Sequence, residues 1–180
     1  MSNGDITSAA ATHWVFAYGS LIWRPDFPYL HAEPATLEGY HRSLCVLSHK
    51  YRGTEDCKGL VFGLDHGGTC QGLCYEVAAE IWPATHAYLS ARELVTHVYQ
   101  EKLLPIHLTG SQRHVVAMTY VVDKEHWQYA GSLDEAEMLE YIRQGHGEAG
   151  SCADYVRQTA VHLRQWGCAD AGLEALAARI

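Results

Sequence analysis

Two short segments of this 180-residue chain carry most of its chemical content. In Phe16-Ala17-Tyr18-Gly19-Ser20-Leu21-Ile22-Trp23 an apolar strand pattern breaks at a glycine. The break brings consecutive backbone N–H groups, a serine hydroxyl and two large aromatics to one turn. N–H groups fanned around such a turn form a nest that holds a small anion. The plain structural alternative is a core strand running into an ordinary loop. The second segment is Tyr88-Leu89-Ser90-Ala91-Arg92-Glu93. Adjacent residues on a helix point about 100° apart, so Arg92 and Glu93 are expected not to pair closely, with one of them facing inward. An inward Glu93 would have its pKa raised by burial and would suit proton transfer near neutrality. A solvated charged pair near a helix end is the alternative.

Other chemistries find less support. There is no phosphate-binding GxxxxGK[ST] loop, no GxGxxG opening a helix, no GxSxG elbow and no HExxH helix. Ser20 as an acyl-transfer nucleophile would need a base and an orienting group that the sequence does not place. The twelve histidines are scattered. His146-Gly147-Glu148 lies among glycines and reads as a mobile loop. No metal and no cofactor are expected.

The elements that must position these segments follow from patterning. Trp14 to Ala17, Arg42 to Leu47, Leu60 to Leu64, Thr69 to Val77 and Val115 to Val122 read as strands. Asp65-His66-Gly67-Gly68, between the third and fourth, has the glycines of a hairpin loop. Cys70 and Cys74 share a strand face. Pro83 suits a first helical turn, and Ile81, Thr85, Tyr88, Leu89 and Arg92 follow helical spacing, with Trp82, His86 and Glu93 on a neighbouring stripe. Ser132, Asp134 and Glu135 open a helix that runs through Leu139 and Ile142 to Gly145. Ser151 caps another, with Cys152, Tyr155, Val156, Thr159, Ala160, Leu163 and Trp166 on its apolar face and Gly167 as its stop. Strands first and helices later, without βαβ alternation, argue for an α+β domain. The expected shape is a mixed sheet curling into a small barrel, with helices outside.

Composition bounds the class. Hydrophobic content of 48% and charged content of 19% describe a globular protein of one domain. The expected division is a flexible tail over residues 1–13 and a domain over residues 14–180. A net charge of −8 without a basic block excludes a nucleic-acid groove. It also means that an anionic substrate needs a local positive potential. No apolar run reaches the roughly 20 residues of a membrane span, and residues 1–13 lack the pattern of a secretory signal. The six cysteines contain no CxxC pair and suit reduced thiols in a cytoplasmic protein.

Together the two segments resemble the ChaC family of γ-glutamylcyclotransferases. Val15 to Trp23 is similar to the family's substrate loop and Tyr88 to Glu93 to its catalytic segment. Gly39-Tyr40-His41-Arg42, Tyr51-Arg52-Gly53-Thr54, Gly59-Leu60-Val61-Phe62-Gly63-Leu64-Asp65, Gly67-Gly68, Thr96-His97-Val98-Tyr99, Leu104-Pro105 and Asp154-Tyr155 extend the likeness over residues 14 to 166. Ala17 departs from the glycine found in many members. A strand residue does not need positive φ, so the change is expected to be tolerated.

The resemblance implies a γ-glutamylcyclotransferase-like fold and cyclisation of a γ-glutamyl group to 5-oxoproline. Glutathione is the implied small-molecule substrate and Cys-Gly the released product. It implies Glu93 as the catalytic proton carrier. Val15, Phe16, Ala17, Tyr18, Gly19, Ser20 and Leu21 form the implied substrate-binding set. Their N–H groups would hold either the glutamyl α-carboxylate or the γ-carbonyl oxygen. Tyr155 and Arg52 stand as supporting contacts, with a structural role as the alternative for each. Two other functions remain open at this point: the same chemistry on γ-glutamyl amino acids or γ-glutamylamines, and non-catalytic regulation of a cation transporter.

Overall fold

The computed structural model describes residues 11–180. Most of the expected tail lies outside the described residues, and Thr12 and His13 already belong to the first strand, β1 (Thr12–Ala17). β1 reads Trp-Val-Phe-Ala at its buried end, apolar on both faces because both are covered. A 3-10 turn (Ser20–Ile22) follows it directly.

Four more strands complete a closed barrel: β2 (His31–Ser48), β3 (Gly59–Ala78), β4 (Tyr99–Leu108) and β5 (Arg113–Val122), in the order β1-β3-β2-β4-β5. β1 closes the ring by pairing in parallel with β5 at Val15 and Met118. Phe16, Leu37, Leu60, Leu64, Leu73, Ile106 and Met118 are among the side chains buried in its core.

The expected hairpin at Asp65-His66-Gly67-Gly68 is not there. β3 runs straight through it and pairs with β2 from His31↔Glu76 to Ser48↔Gly59. Gly67 (φ 92°) and Gly68 (φ 71°) supply instead a bulge against Gly39 (φ 83°), where the register shifts between Glu38 and Tyr40. Left-handed glycines serve a tight reversal or a bulge equally well, and two strands this long must bend to join a barrel.

The helices are α1 (Trp82–Glu93), α2 (Glu135–Gln144), α3 (Cys152–Gln165) and α4 (Ala171–Ala177). Pro83 sits in the first turn of α1. Asp134 rather than Ser132 caps α2, in a capping box with Glu137. Ser151 caps α3 and accepts from Asp154 N at 3.0 Å. The expected apolar face of α3 is buried, except that Trp166 stays 36% exposed past the helix end. α3 packs on β3 and on the 3-10 turn.

His146-Gly147-Glu148 is ordered, contrary to the mobile-loop expectation. β6 (His146–Gly147) pairs with β7 (Gly150–Ser151), and Glu148 N and Ala149 N donate to the carbonyls of Lys50 and Tyr51. The flanking glycines serve close packing here: a Cβ on Gly147 would lie 2.3 Å from Lys50 O. Among the described residues no helix is long and apolar enough to cross a membrane. Nor does any group of three or more potential metal-ligating side chains occur among them.

Candidate active site

Where β1 ends, the chain is fastened from several sides. Tyr18 Oη donates to Tyr120 O at 2.8 Å, and the Arg42 Nε–H donates to Tyr18 O at 2.6 Å. The Arg42 guanidinium, 4% exposed, also pairs with Asp170 at 2.8 Å. From β3, Tyr75 Oη donates to Leu21 O at 2.9 Å. Trp23 Nε1 reaches Thr159 Oγ1 on α3 at 3.4 Å. Within the turn Ile22 N donates to Gly19 O and Arg24 N to Ser20 O. The N–H groups of Gly19, Ser20 and Leu21 have no protein partner among the described residues. The contacts that secure this turn engage its carbonyls and side chains and leave three consecutive donors free.

Glu93 is the last residue of α1, with its side chain 19% exposed. The expectation that Arg92 and Glu93 diverge is wrong. Arg92 Nε lies 3.2 Å from Glu93 Oε1. The 100° separation applies to Cα–Cβ directions, whereas the long arginine stem lets the guanidinium fold back. It does so because the same group donates to Tyr88 Oη at 2.7 Å, to Arg24 O at 2.7 Å and to Ser20 Oγ at 2.9 Å. Arg92 thus ties the 3-10 turn to the carboxylate. Burial pushes the Glu93 carboxyl above the usual carboxylate range, and Arg92 opposes that rise by charge and hydrogen bond.

Both features open into one cavity of about 380 Å³. Phe16, Tyr18, Gly19, Ser20, Leu21 and Glu93 line it. Val15 and Ala17 do not. Both are fully buried in the sheet, where they pair with Tyr75 and Leu73. Arg52 and Tyr155 belong to the lining. Tyr155 Oη accepts from Phe62 N at 3.1 Å and would stand 3.2 Å from a Cβ on Gly19. Burial raises the pKa values of Tyr18, Tyr99 and Tyr155, which keeps these phenols neutral beside the carboxylate. The charged lining consists of four cations, Arg24, Lys50, Arg52 and Arg92, against two carboxylates, Asp26 and Glu93. An acidic protein therefore carries a locally basic pocket, as an anionic ligand requires.

Sequence reasoning gave no site role to Gln128, which donates to Leu47 O at 2.8 Å, and named Tyr99, whose hydroxyl donates to Phe62 O at 2.7 Å, only within a family-like string. Arg42 stood there only as a strand start and within a family-like string. All three act through partners far along the chain, and no local pattern announces them.

A family model described as ChaC-like protein matches residues 13–180. Among curated relatives, the glutathione-specific γ-glutamylcyclotransferase of Escherichia coli is 29% identical, covering 91% of this chain and 70% of its own. The enzyme of the same name from Schizosaccharomyces pombe is 29% identical over 84% of this chain and 82% of its own. Among solved structures, a yeast γ-glutamyl cyclotransferase specific to glutathione superposes with a TM-score of 0.84 at 21% identity. That match covers 93% of this chain and 95% of the yeast chain, so the barrel and its helices are a shared fold.

Proposed function

The chain belongs to the ChaC-like family, and from that premise we propose that it is a γ-glutamylcyclotransferase that converts glutathione to 5-oxoproline and Cys-Gly. The relatives that bear this activity in their names match over most of their length. The observation that carries the reading to this chain is the single cavity shared by Glu93 and the Tyr18–Leu21 turn.

The substrate brings its own nucleophile, the α-amine of the glutamyl group. Closing a five-membered ring onto the γ-carbonyl is intramolecular, so holding the substrate folded removes most of the entropic barrier. The free N–H groups of Gly19, Ser20 and Leu21 hold the glutamyl α-carboxylate, with the Arg92 guanidinium on Ser20 Oγ adding positive charge beside them. The amine arrives mostly as an ammonium, because its pKa of about 8 or higher exceeds neutral pH. Glu93 takes one proton from it, and the freed nitrogen attacks the γ-carbonyl carbon. The tetrahedral intermediate collapses as the bond to the cysteinyl nitrogen breaks: Glu93 returns the first proton to that departing amine, and the second proton shed by the ring nitrogen leaves with it, so that Cys-Gly departs as an ammonium. No water is consumed.

A raised carboxyl pKa suits both halves of this shuttle, because it brings the proton affinity of Glu93 closer to that of the amine. All six cysteines are unpaired, and the proposed location is the cytoplasm, where thiols stay reduced. The test is to incubate purified protein with reduced glutathione and quantify both products. Equal amounts of 5-oxoproline and Cys-Gly are expected. Glutamate in place of 5-oxoproline would mean hydrolysis and would refute the cyclisation.

A further inference from the structure

Arg52 is a buried cation that no carboxylate answers. The residue is 6% exposed and lines the cavity. Its guanidinium makes one side-chain hydrogen bond, from Nη1 to Ser151 O at 3.2 Å, and no ion pair to it occurs among the described residues. A guanidinium has five N–H donors, so most are unspent. Two aromatic rings lie against it, with centroids at 5.2 Å for Tyr155 and 5.9 Å for Trp23. Burial pulls its proton affinity below the usual arginine value, and leaving such a charge uncompensated is costly.

The segment that presents Arg52 is rigid. A Cβ on Gly59 would lie 2.0 Å from Arg52 O, and one on Gly53 would lie 2.3 Å from Ser48 O. The Arg52 N–H donates to Ser48 Oγ at 3.0 Å, and the β6–β7 hairpin bonds the carbonyls just before it. A costly cation held rigidly in a ligand cavity is a receptor for an anion.

We propose that Arg52 receives the terminal carboxylate of the leaving fragment and so makes the enzyme select γ-glutamyl dipeptides over γ-glutamylamines and neutral donors. This rests on the cyclotransferase reading. A γ-glutamyl dipeptide carries two carboxylates, and the turn at Gly19 already takes the glutamyl one. Tyr155 adjoins both receptors: its hydroxyl stands beside Gly19 and the Arg52 guanidinium lies over its ring. Both anion receptors thus border the same tyrosine and open on the same cavity. The planar fork suits a carboxylate bidentately, and the flanking rings keep water from replacing it.

The experiment compares glutathione with its analogue in which the glycine carboxylate is a carboxamide, on the wild-type enzyme and on Arg52→Met and Arg52→Lys. The wild type is expected to prefer the free acid by about 10- to 100-fold in kcat/KM, the range of one charge-assisted contact. Arg52→Met should collapse that ratio toward one, chiefly through a higher KM for glutathione. Arg52→Lys, which keeps the charge without the fork, should fall between. Equal wild-type use of acid and amide overturns the proposal. So does an Arg52→Met loss that strikes both donors alike and preserves the ratio, the signature of a structural role or of a grip on the glutamyl end. Should Arg52→Met fail to fold, the wild-type ratio and Arg52→Lys decide. A wild type that releases 5-oxoproline from neither donor refutes the cyclotransferase reading itself.

Discussion

Replacing Arg92 by methionine keeps the stem and its helix propensity and deletes the guanidinium that joins the substrate turn to Glu93. Three hydrogen bonds of 2.7, 2.7 and 2.9 Å disappear, together with the 3.2 Å contact to Glu93. A hydrogen bond to a charged group contributes about 1.5–3 kcal/mol, but contacts sharing one group do not add. The Arg92 side chain is 21% exposed, which screens part of the loss. The net destabilisation should be about 3 kcal/mol, and a domain of this size loses roughly 2–4 °C per kcal/mol, so Tm should fall by about 6–12 °C.

The more telling readout is the pH profile. Glu93 acts as a base only when ionised, so kcat/KM rises with pH through its pKa. Burial raises that pKa and Arg92 holds it down. With Arg92 gone, burial acts unopposed and the acid limb must move to higher pH. Arg92→Lys, which keeps the charge, should restore the limb while recovering only part of the stability. An acid limb that stays in place, or moves to lower pH, in Arg92→Met would refute the coupling between the two groups.

The ionisation of Glu93 should also show in stability. Its folded pKa lies above the unfolded value, so the native state binds the extra proton between the two and loses stability as pH rises through that window. Glu93→Gln lacks this loss. Its thermal stability relative to wild type should therefore rise with pH from the ordinary carboxylate range through the raised pKa and then level off, and a relative stability that falls with pH over that range would exclude a raised carboxyl. Gly19→Val places a Cβ 3.2 Å from Tyr155 Oη and its methyl groups in the same space. Overpacking of this kind costs about 1–3 kcal/mol, so calorimetric titration with glutathione should show binding weakened by about tenfold or more. Unchanged binding would remove the turn from the substrate site.

The strand-to-turn break at Gly19 was legible because everything that makes it is local: five buried residues, then a glycine, then polar and aromatic side chains. What holds it was not. Arg42 and Tyr75 reach the turn from 24 and 54 residues away, and only the barrel brings them there. The misread hairpin has the same origin. Gly67 and Gly68 announce positive φ, but whether the chain reverses or merely bulges depends on its register with β2, which composition does not encode. β4 escaped notice because Glu101, Leu103 and Pro105 all face outward and exposed, so its alternation carries no apolar–polar contrast. α4 spans seven residues, too few for helical periodicity to show. At the site, Glu93 does line the cavity, but the expectation that Arg92 would diverge from it failed, since side-chain length overrides Cβ direction.

The central claim is that Glu93 carries protons for a substrate held at the Gly19 turn, and Glu93→Gln tests it most directly. Glutathione binding by calorimetry and 5-oxoproline release should be measured on the same folded preparations of variant and wild type. The expected result is binding within a few-fold of wild type and turnover reduced at least about 100-fold, the usual contribution of general acid–base catalysis. A variant that keeps more than about a tenth of wild-type turnover would contradict the assignment.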